Sequence, residues 1–382
     1  MVKEPTATPL LVDAPESKMK VKEQTLRLKF PFGQTLGLTL LLFALLFGVA
    51  EILTRTQLFK SYAVAPPNEW EVNERENYAS LMNRRNQVQA ISLGNSHSDA
   101  IDFSVFGLEG QRLARAAADL FEVERYAAAV SGKLPSLQIA FVTLSYYSFS
   151  RDNSTLDNLR NRRVELYAML PIWLPAKGDG HNFLLGKLQA YSQLMKVARS
   201  GNWYDVIYRI FESAPPEDLS QSDPQYTGVR TVTPWGECAH PTVEELNAHG
   251  DEIAGKNVTS SRAMTKAHPG LPNDALEALA QTIEHFQANR VRVILFTPPY
   301  YEVYTANFTD QASDISDQMH QAVERLQEKY QVEYYDFSHD PQIVTRPELF
   351  FNSDHVNNCG RKAFTERLLR AMLETSHIGS RE

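Results

Sequence analysis

Short apolar runs alternate with helical patterns along most of the chain after residue 85. The runs have the composition of buried strands, and the segments between them have the apolar spacing of amphipathic helices. The predicted strands cover residues 88–93, 137–144, 291–296 and 332–335, and the predicted helices cover 113–130, 274–287, 313–329 and 363–372. This repetition predicts an α/β fold whose parallel, flavodoxin-like sheet carries helices on both faces.

The composition supports a globular domain and excludes one class of partner. The chain has 382 residues, 43% of them apolar, which is enough to build a substantial core. Its formal net charge is −8 and its sequence pI is about 5.8. Nucleic-acid binding needs a basic surface that this balance does not supply, so we expect no nucleic-acid partner.

The amino-terminal region has the pattern of a membrane signal anchor. Residues 1–29 are polar and rich in lysine, and we predict a disordered cytoplasmic tail there. Residues 30–54 are almost continuously apolar, and about 20 such residues span a bilayer. Basic residues precede this segment and glutamates follow it, so the tail is expected inside and the carboxyl-terminal domain outside the cell. Residues 55–85 are predicted to form a linker and a lead-in helix.

The section at about 151–272 does not fit the alternation and is predicted to be an insertion. Its first part, 156–211, has a helical and aromatic pattern, whereas 215–268 has the composition of loops. An insertion of this kind serves either as a packing subdomain or as a surface for substrate or partner. The sequence leaves both alternatives open.

A candidate catalytic pair stands near the two ends of the predicted domain. The first strand stops at Gly94, which permits a sharp turn and leaves Ser96 at the carboxyl end of the strand, where open α/β sheets bind ligands. Ser96 is therefore the candidate nucleophile. A serine hydroxyl needs a base to remove its proton, and His355, late in the chain, is the candidate base. His97 and Ser98 are interpreted as positioning residues.

The third member of the site is left open by the sequence. Asn352, Asp354 and the more distant Asp336 are alternatives, and a Ser-His dyad is another. A carboxylate stabilises an imidazolium better than an amide does, which favours Asp354. Adjacent side chains on an extended backbone point apart, however, and this argues against Asp354 as the partner of His355.

The oxyanion that forms during acyl transfer needs aimed hydrogen-bond donors. The backbone N–H of Ser96 is one candidate donor, and Gly110 is among the nearest glycines after the nucleophile turn. Tyr300 follows the predicted strand at 291–296 and is a candidate for lining the substrate site. The sequence does not place a full oxyanion hole.

The turn Gly94-Asn95-Ser96-His97-Ser98 and the block 351–360 together resemble the first and last blocks of the SGNH/GDSL hydrolase superfamily. Two positions depart from that family. Its middle Gly-x-Asn-Asp is replaced by Ser145-Tyr146-Tyr147-Ser148, and Asn352 stands where its Asp-x-x-His motif has the carboxylate. The resemblance covers the anchor and about residues 85–150 and 285–375, and it implies one SGNH-like domain over 86–376.

The anchor followed by this domain is similar to membrane-anchored members of that superfamily. The accessory protein of teichoic-acid D-alanylation and the alginate O-acetylation proteins are examples. The resemblance implies a serine that takes an acyl group and passes it to a cell-surface glycan, next to a membrane-bound O-acyltransferase and without a cofactor. A second hypothesis is an esterase or deacetylase that hydrolyses such esters. A third is a non-catalytic anchored protein that binds glycan or acts as a scaffold.

Cys238 and Cys359 are the two cysteines of the chain. Their spacing matches no zinc or iron–sulfur pattern, so no metal site is expected. Export to an oxidising compartment would permit a disulfide that ties the insertion to the segment after His355. Two unpaired cysteines are the equally open alternative.

Overall fold

The computed structural model describes residues 32–55, 77–115, 117–155, 161–176, 179–191, 238 and 240–379. The chain divides into two compact units, Met1–Ile52 and Leu53–Glu382. The predicted cytoplasmic tail, most of the predicted linker and residues 192–237 of the predicted insertion lie outside the described residues.

The segment predicted to cross a membrane is helical. Helix α1, Phe32–Arg55, has 24 residues and covers the apolar run. Among the residues that the structure describes, no helix is both long enough and apolar enough to cross a membrane. The structure therefore does not support the transmembrane part of the fold prediction.

The second unit is built on a five-stranded parallel sheet. Its strands are β1 (Ala90–Gly94), β2 (Gly110–Ala114), β3 (Ile139–Thr143), β4 (Arg292–Thr297) and β5 (Glu333–Asp336). They lie in the order β2-β1-β3-β4-β5, and every neighbouring pair is parallel. The predicted α/β sheet is confirmed, and its strand order is the one that flavodoxin-like sheets have. A separate antiparallel pair consists of β6 (Phe350–Asn352) and β7 (His355–Val356).

The helices of this unit precede or follow the strands. They are α2 (Phe103–Phe106), α3 (Leu120–Val130), α4 (Asn161–Met169), α5 (Gly180–Tyr191), α6 (Val243–Ala267), α7 (Leu271–Gln287), α8 (Glu302–Tyr330), α9 (Pro341–Val344) and α10 (Asn358–Gly379). Residues 77–83 are also helical, within the predicted lead-in helix.

Two apolar cores cover the two faces of the sheet. Because side chains alternate along a strand, Val142 of β3 belongs to one core and Phe141 to the other. The first core contains side chains of α3, α7 and α8, and the second contains Phe364 and Leu368 of α10. The sheet is thus buried on both faces, as its continuous apolar strands predict.

The predicted helix at 113–130 is corrected at its start. Residues Gly110–Ala114 form β2 at the edge of the sheet and pair with β1 in register from Ala90↔Gly110 to Gly94↔Ala114. The helix α3 begins only at Leu120. Its start is fixed by a capping box, in which Asp119 and Glu122 each accept a backbone N–H of the other residue.

The prediction of loops over 215–268 is wrong for its described second half. Helix α6 spans 25 residues and begins with a capping box between Thr242 and Glu245. It packs along α8, where Asn257 Nδ2 donates a 3.1 Å hydrogen bond to the hydroxyl of Tyr304. This part of the insertion is therefore a helix that belongs to the packed domain.

A disulfide joins Cys238 to Cys359, with 5.3 Å between the two Cα atoms. The structure thus favours the bridge over two unpaired cysteines. The bond ties the segment before α6 to the first turn of α10, four residues after His355. Because the cysteines are 121 positions apart, the bridge closes a long loop in the unfolded chain.

We expect Cys238→Ser to lower the free energy of unfolding by about 2–5 kcal/mol, because the unfolded chain regains the entropy that the bridge removes. Urea denaturation of the oxidised protein measures this change. The double variant Cys238→Ser/Cys359→Ser is the control and should be no less stable than the single variant, since both lack the same bond. Wild-type stability in the single variant would contradict the expectation.

Candidate active site

Ser96 stands on a turn that only glycine permits at its first position. Gly94, the last residue of β1, has φ +143°, and a Cβ there would lie 3.0 Å from the Cβ of Thr143. The Asn95 Oδ1 then accepts the His97 N–H at 3.1 Å and opens the short 3-10 helix Ser96–Ala100. Ser96 follows Asn95 directly and remains partly exposed at the carboxyl edge of the sheet.

His355 reaches Ser96 from the other end of the chain. It begins β7, and α10 follows within three residues. The start of α10 lies so close to the preceding 3-10 turn that a Cβ on Gly360 would be 2.0 Å from the carbonyl oxygen of Leu349. In this position His355 Nε2 lies 2.7 Å from Ser96 Oγ, within hydrogen-bond reach.

Both predicted partners of His355 contact its second ring nitrogen. The Nδ1 atom lies 2.9 Å from Asp354 Oδ1 and 3.0 Å from Asn352 Oδ1. Asp354 lies in the tight turn between β6 and β7, and the backbone there is not extended. The geometric objection to Asp354 therefore does not apply. Its backbone N–H donates to Asn352 Oδ1 at 3.3 Å, so Asn352 also holds the turn.

Asp354 carries a second hydrogen bond that links the site to a buried histidine. Its Oδ2 lies 3.3 Å from His97 Nε2. On the opposite side of that ring, His97 Nδ1 lies 2.8 Å from Ser145 Oγ, which in turn accepts a 2.8 Å hydrogen bond from Asn95 Nδ2. A continuous chain of hydrogen bonds thus runs from Asn95 of the nucleophile turn through Ser145, which follows β3, and His97 to the carboxylate.

The environment of His97 fixes the direction of these hydrogen bonds. Burial, together with the nearby His355, lowers the pKa of His97, so its ring is neutral at pH 7. A neutral ring beside a carboxylate donates from Nε2 to Asp354, which leaves Nδ1 to accept the hydroxyl proton of Ser145. Each hydrogen bond of the chain then has one donor and one acceptor, because Ser145 and His97 each accept one hydrogen bond and donate another.

The carboxylate itself is held in its charged form. Burial opposes this, but the charge and hydrogen bond of His355 and the hydrogen bond of His97 bring the pKa of Asp354 well below its ordinary value. With Asp354 ionised, His355 Nδ1 donates to it and Nε2 accepts the proton of Ser96. This is the arrangement that general-base activation of a serine requires.

Three other predicted residues do not take the expected positions. Gly110 pairs with Ala90 at the amino end of the sheet, opposite to the end that carries Ser96, so the structure does not support an oxyanion role for it. Tyr300 is fully buried and packs edge-on against the His97 ring at 5.3 Å, behind the site and not on its surface. Asp336 accepts hydrogen bonds from His320 and Ser338 instead.

Asn95, Ser145 and Arg361 belong to the site but were not predicted as functional residues. Ser145 follows β3 as Ser96 follows β1, so the rule that placed Ser96 could also have found it. A shallow pocket opens beside the nucleophile and is lined by Ser96, Asp99, Pro298, Pro299, His355 and Arg361, among others. It lies where the strand order reverses between β1 and β3.

One group of potential metal ligands in the described part of the chain coincides with this site. Ligand atoms of His97, Asp354 and His355 all lie within 4.8 Å of one another. The same side chains already hydrogen-bond each other, since Asp354 contacts both rings. The hydrogen bonds account for this proximity without a metal.

In comparisons with known proteins, no family model matches the chain and no curated protein matches it. The resemblance to the SGNH superfamily therefore depends on the motifs and on the geometry described above.

The buried His97 predicts how stability depends on pH. Its folded-state pKa is lowered, so the unfolded chain takes up a proton near pH 6.5, whereas the folded protein takes it up only at a lower pH. We expect the free energy of unfolding to fall by up to about 1.4 kcal/mol per pH unit through this group as the pH drops below 6.5. Urea denaturation at pH 7, 6 and 5 measures the slope.

The variant His97→Gln should show a shallower slope than wild type, because it lacks the group that titrates. His268→Gln, at an exposed position, is the matched control and should retain the wild-type slope. Equal slopes in all three proteins would exclude His97 as the titrating group.

Proposed function

We propose that the protein is a serine acyltransferase or esterase that acts on acyl esters of carbohydrates, with Ser96 as nucleophile and His355 as base. The observation that carries this proposal is the 2.7 Å contact between Ser96 Oγ and His355 Nε2, combined with the Asp354 contact on the other ring nitrogen. A non-catalytic binding protein would not need a hydroxyl, an imidazole and a buried carboxylate that contact one another in this order.

The proposed reaction has two halves. His355 takes the proton of Ser96 while Oγ attacks the ester carbonyl, and the Ser96 backbone N–H stabilises the oxyanion. His355 then protonates the leaving alkoxide, and an acyl group remains on Ser96. In the second half an acceptor hydroxyl gives its proton to His355 and attacks the acyl carbon. The bond from that carbon to Ser96 Oγ then breaks, the new ester or acid leaves, and His355 returns the proton to Oγ.

Hydrolysis and acyl transfer differ in the acceptor of the second half. Water gives an esterase or deacetylase, and a sugar hydroxyl gives an O-acyltransferase. The pocket is shallow and Ser96 is partly exposed, so a bulky acceptor can approach the same face as water. Three features support an SGNH-like fold. The proposed nucleophile follows β1, the proposed base precedes the last helix, and the strand order reverses between β1 and β3.

An extracytoplasmic location is supported by the disulfide, because such bonds persist mainly in oxidising compartments. The charge distribution around the apolar amino-terminal segment favours the same orientation. Helix α1 exposes a run of leucine side chains, which supports attachment to a membrane. A cell-surface glycan as substrate and a membrane-bound O-acyltransferase as partner are proposed on the resemblance alone.

We expect Ser96→Ala to reduce the hydrolysis of 4-nitrophenyl acetate by about ten-thousand-fold or more, since loss of a nucleophile ordinarily costs several orders of magnitude. His355→Ala should have a similar effect, and the double variant should be no worse because the two residues act as one unit. The measurement is steady-state hydrolysis by the oxidised fragment that begins near residue 61. Residual activity within a few-fold of wild type would remove Ser96 from the mechanism.

The same assay separates the roles of Asp354 and Asn352. Asp354→Asn should be severe because the imidazolium loses its counter-charge, whereas Asn352→Ala should lose less, since the carboxylate remains. Ser104→Ala, on the helix α2, is a control outside the catalytic contacts and should retain activity. A larger loss in Asn352→Ala than in Asp354→Asn would make the amide the main partner of His355.

The location is tested with intact cells that express the full chain. External protease should digest the domain after about residue 61 and leave an epitope before residue 30 intact, because the basic tail is expected inside. Lysed cells are the control, in which both parts should be accessible. Protection of the domain in intact cells would contradict the proposed location.

A further inference from the structure

The wall of the pocket contains a buried, positively charged side chain, that of Arg361. It is the fourth residue of α10 and lines the pocket together with Ser96 and His355. Its side chain is 8% exposed, and its buried Nε atom has no hydrogen-bond partner among the described residues. A guanidinium carries five N–H donors and stays protonated in proteins, so this side chain brings a fixed positive charge to the wall of the pocket that Ser96 also lines.

Two carboxylates that act electrostatically on Arg361, those of Asp99 and Asp102, already contact other groups. Asp99 also lines the pocket, but its Oδ1 lies 3.5 Å from Nε of Arg112. Asp102 accepts the backbone N–H of Ser104 at 3.0 Å and its hydroxyl at 2.6 Å, which caps α2. Both carboxylates act on Arg361 through space, but neither forms an ion pair with it at contact distance.

A buried charge without a partner is unfavourable, and its cost is relieved when a counter-charge arrives. Burial lowers the pKa of Arg361, and Arg112 contributes in the same direction. An anionic group that enters the pocket would supply the hydrogen bonds and the counter-charge that the Arg361 guanidinium lacks. The planar fork of the guanidinium matches the two oxygens of a carboxylate or phosphate.

We propose that Arg361 binds a carboxylate or phosphate group of the substrate, so that the enzyme prefers esters with an anionic substituent close to the scissile bond. This inference rests on the proposed esterase or acyltransferase function. The anion is present before the reaction starts, whereas the oxyanion appears only in the transition state. Arg361 therefore contributes mainly to substrate binding, and its loss should raise KM more than it lowers kcat.

The test compares two anionic esters with neutral analogues of similar shape. The anionic esters are mono-4-nitrophenyl succinate, with a carboxylate on the acyl side, and 3-acetoxybenzoate, with a carboxylate on the leaving-group side. The wild-type protein should show a higher kcat/KM for one of the anionic esters than for its neutral analogue, 4-nitrophenyl butyrate or phenyl acetate. The anionic ester that the enzyme prefers shows whether the anion binds on the acyl side or on the leaving-group side of the scissile bond.

In Arg361→Gln the kcat/KM for the preferred anionic ester should fall by about 10- to 100-fold relative to the neutral analogue, because a charge-assisted bidentate contact is lost. Arg361→Lys should recover part of the preference, since it restores the charge but not the fork. Lys362→Gln removes the same charge from the next, exposed position of α10 and should retain the wild-type preference.

Equal losses on neutral and anionic esters in Arg361→Gln would overturn the inference and assign Arg361 to the oxyanion or to the fold. A wild-type protein that hydrolyses neutral esters without any anionic preference would also overturn it, while leaving the proposed function intact. A protein that hydrolyses none of the esters would contradict the proposed function.

Anion binding is also tested without turnover, by titrating Ser96→Ala with inorganic phosphate and with succinate. At least one of the two anions should raise the melting temperature of this variant. The shift should disappear in Ser96→Ala/Arg361→Gln but persist in Ser96→Ala/Lys362→Gln. Stabilisation by neither anion, or the same shift in all three proteins, would overturn the inference whatever the catalytic assays give.

Discussion

The site depends on one carboxylate that two histidines share. Asp354 contacts His355 at 2.9 Å through one oxygen and His97 at 3.3 Å through the other. The first contact orients the base toward Ser96, and the second connects the carboxylate to Ser145 and the nucleophile turn. Because each histidine donates to a different oxygen, the carboxylate is fixed in its plane. The turn that carries Asp354 and His355 is thereby held beside the residues that follow β1.

The sheet surrounds this carboxylate with elements that hold it in place. Asn95 and Ser96 follow β1 and Ser145 follows β3, so both strands at the reversal of strand order contribute members of the hydrogen-bond chain. Tyr300 is buried and packs edge-on against the buried ring of His97. The same low-dielectric environment that keeps His97 neutral strengthens each hydrogen bond of the chain.

The sequence predicted the parts of the fold and site that local patterns control. Apolar runs located four strands, and a glycine after the first strand located Ser96. The edge strand β2 was missed because Gly110–Ala114 is followed by a run of arginine and alanine that favours helix, while pairing with β1 imposes the strand. Gly110 was proposed because it is among the nearest glycines after the nucleophile turn in sequence, but it lies at the opposite end of the sheet. Helix α6 was missed because its buried face contains small residues such as Gly250 and Ser261, which give no strong apolar period. The surroundings of His97 and Arg361 depend on tertiary packing, so the spacing of residues along the sequence does not predict them.

The contact between Ser96 and His355 joins positions 259 residues apart. Contacts of such long range form late when a chain folds, because the entropy of closing the intervening loop must be overcome first. A chain that emerges amino terminus first therefore displays its nucleophile turn well before the base exists. The proposed catalytic pair assembles only when the segment that carries His355 reaches the end of β1, so a chain still being synthesised lacks the contact that would activate Ser96.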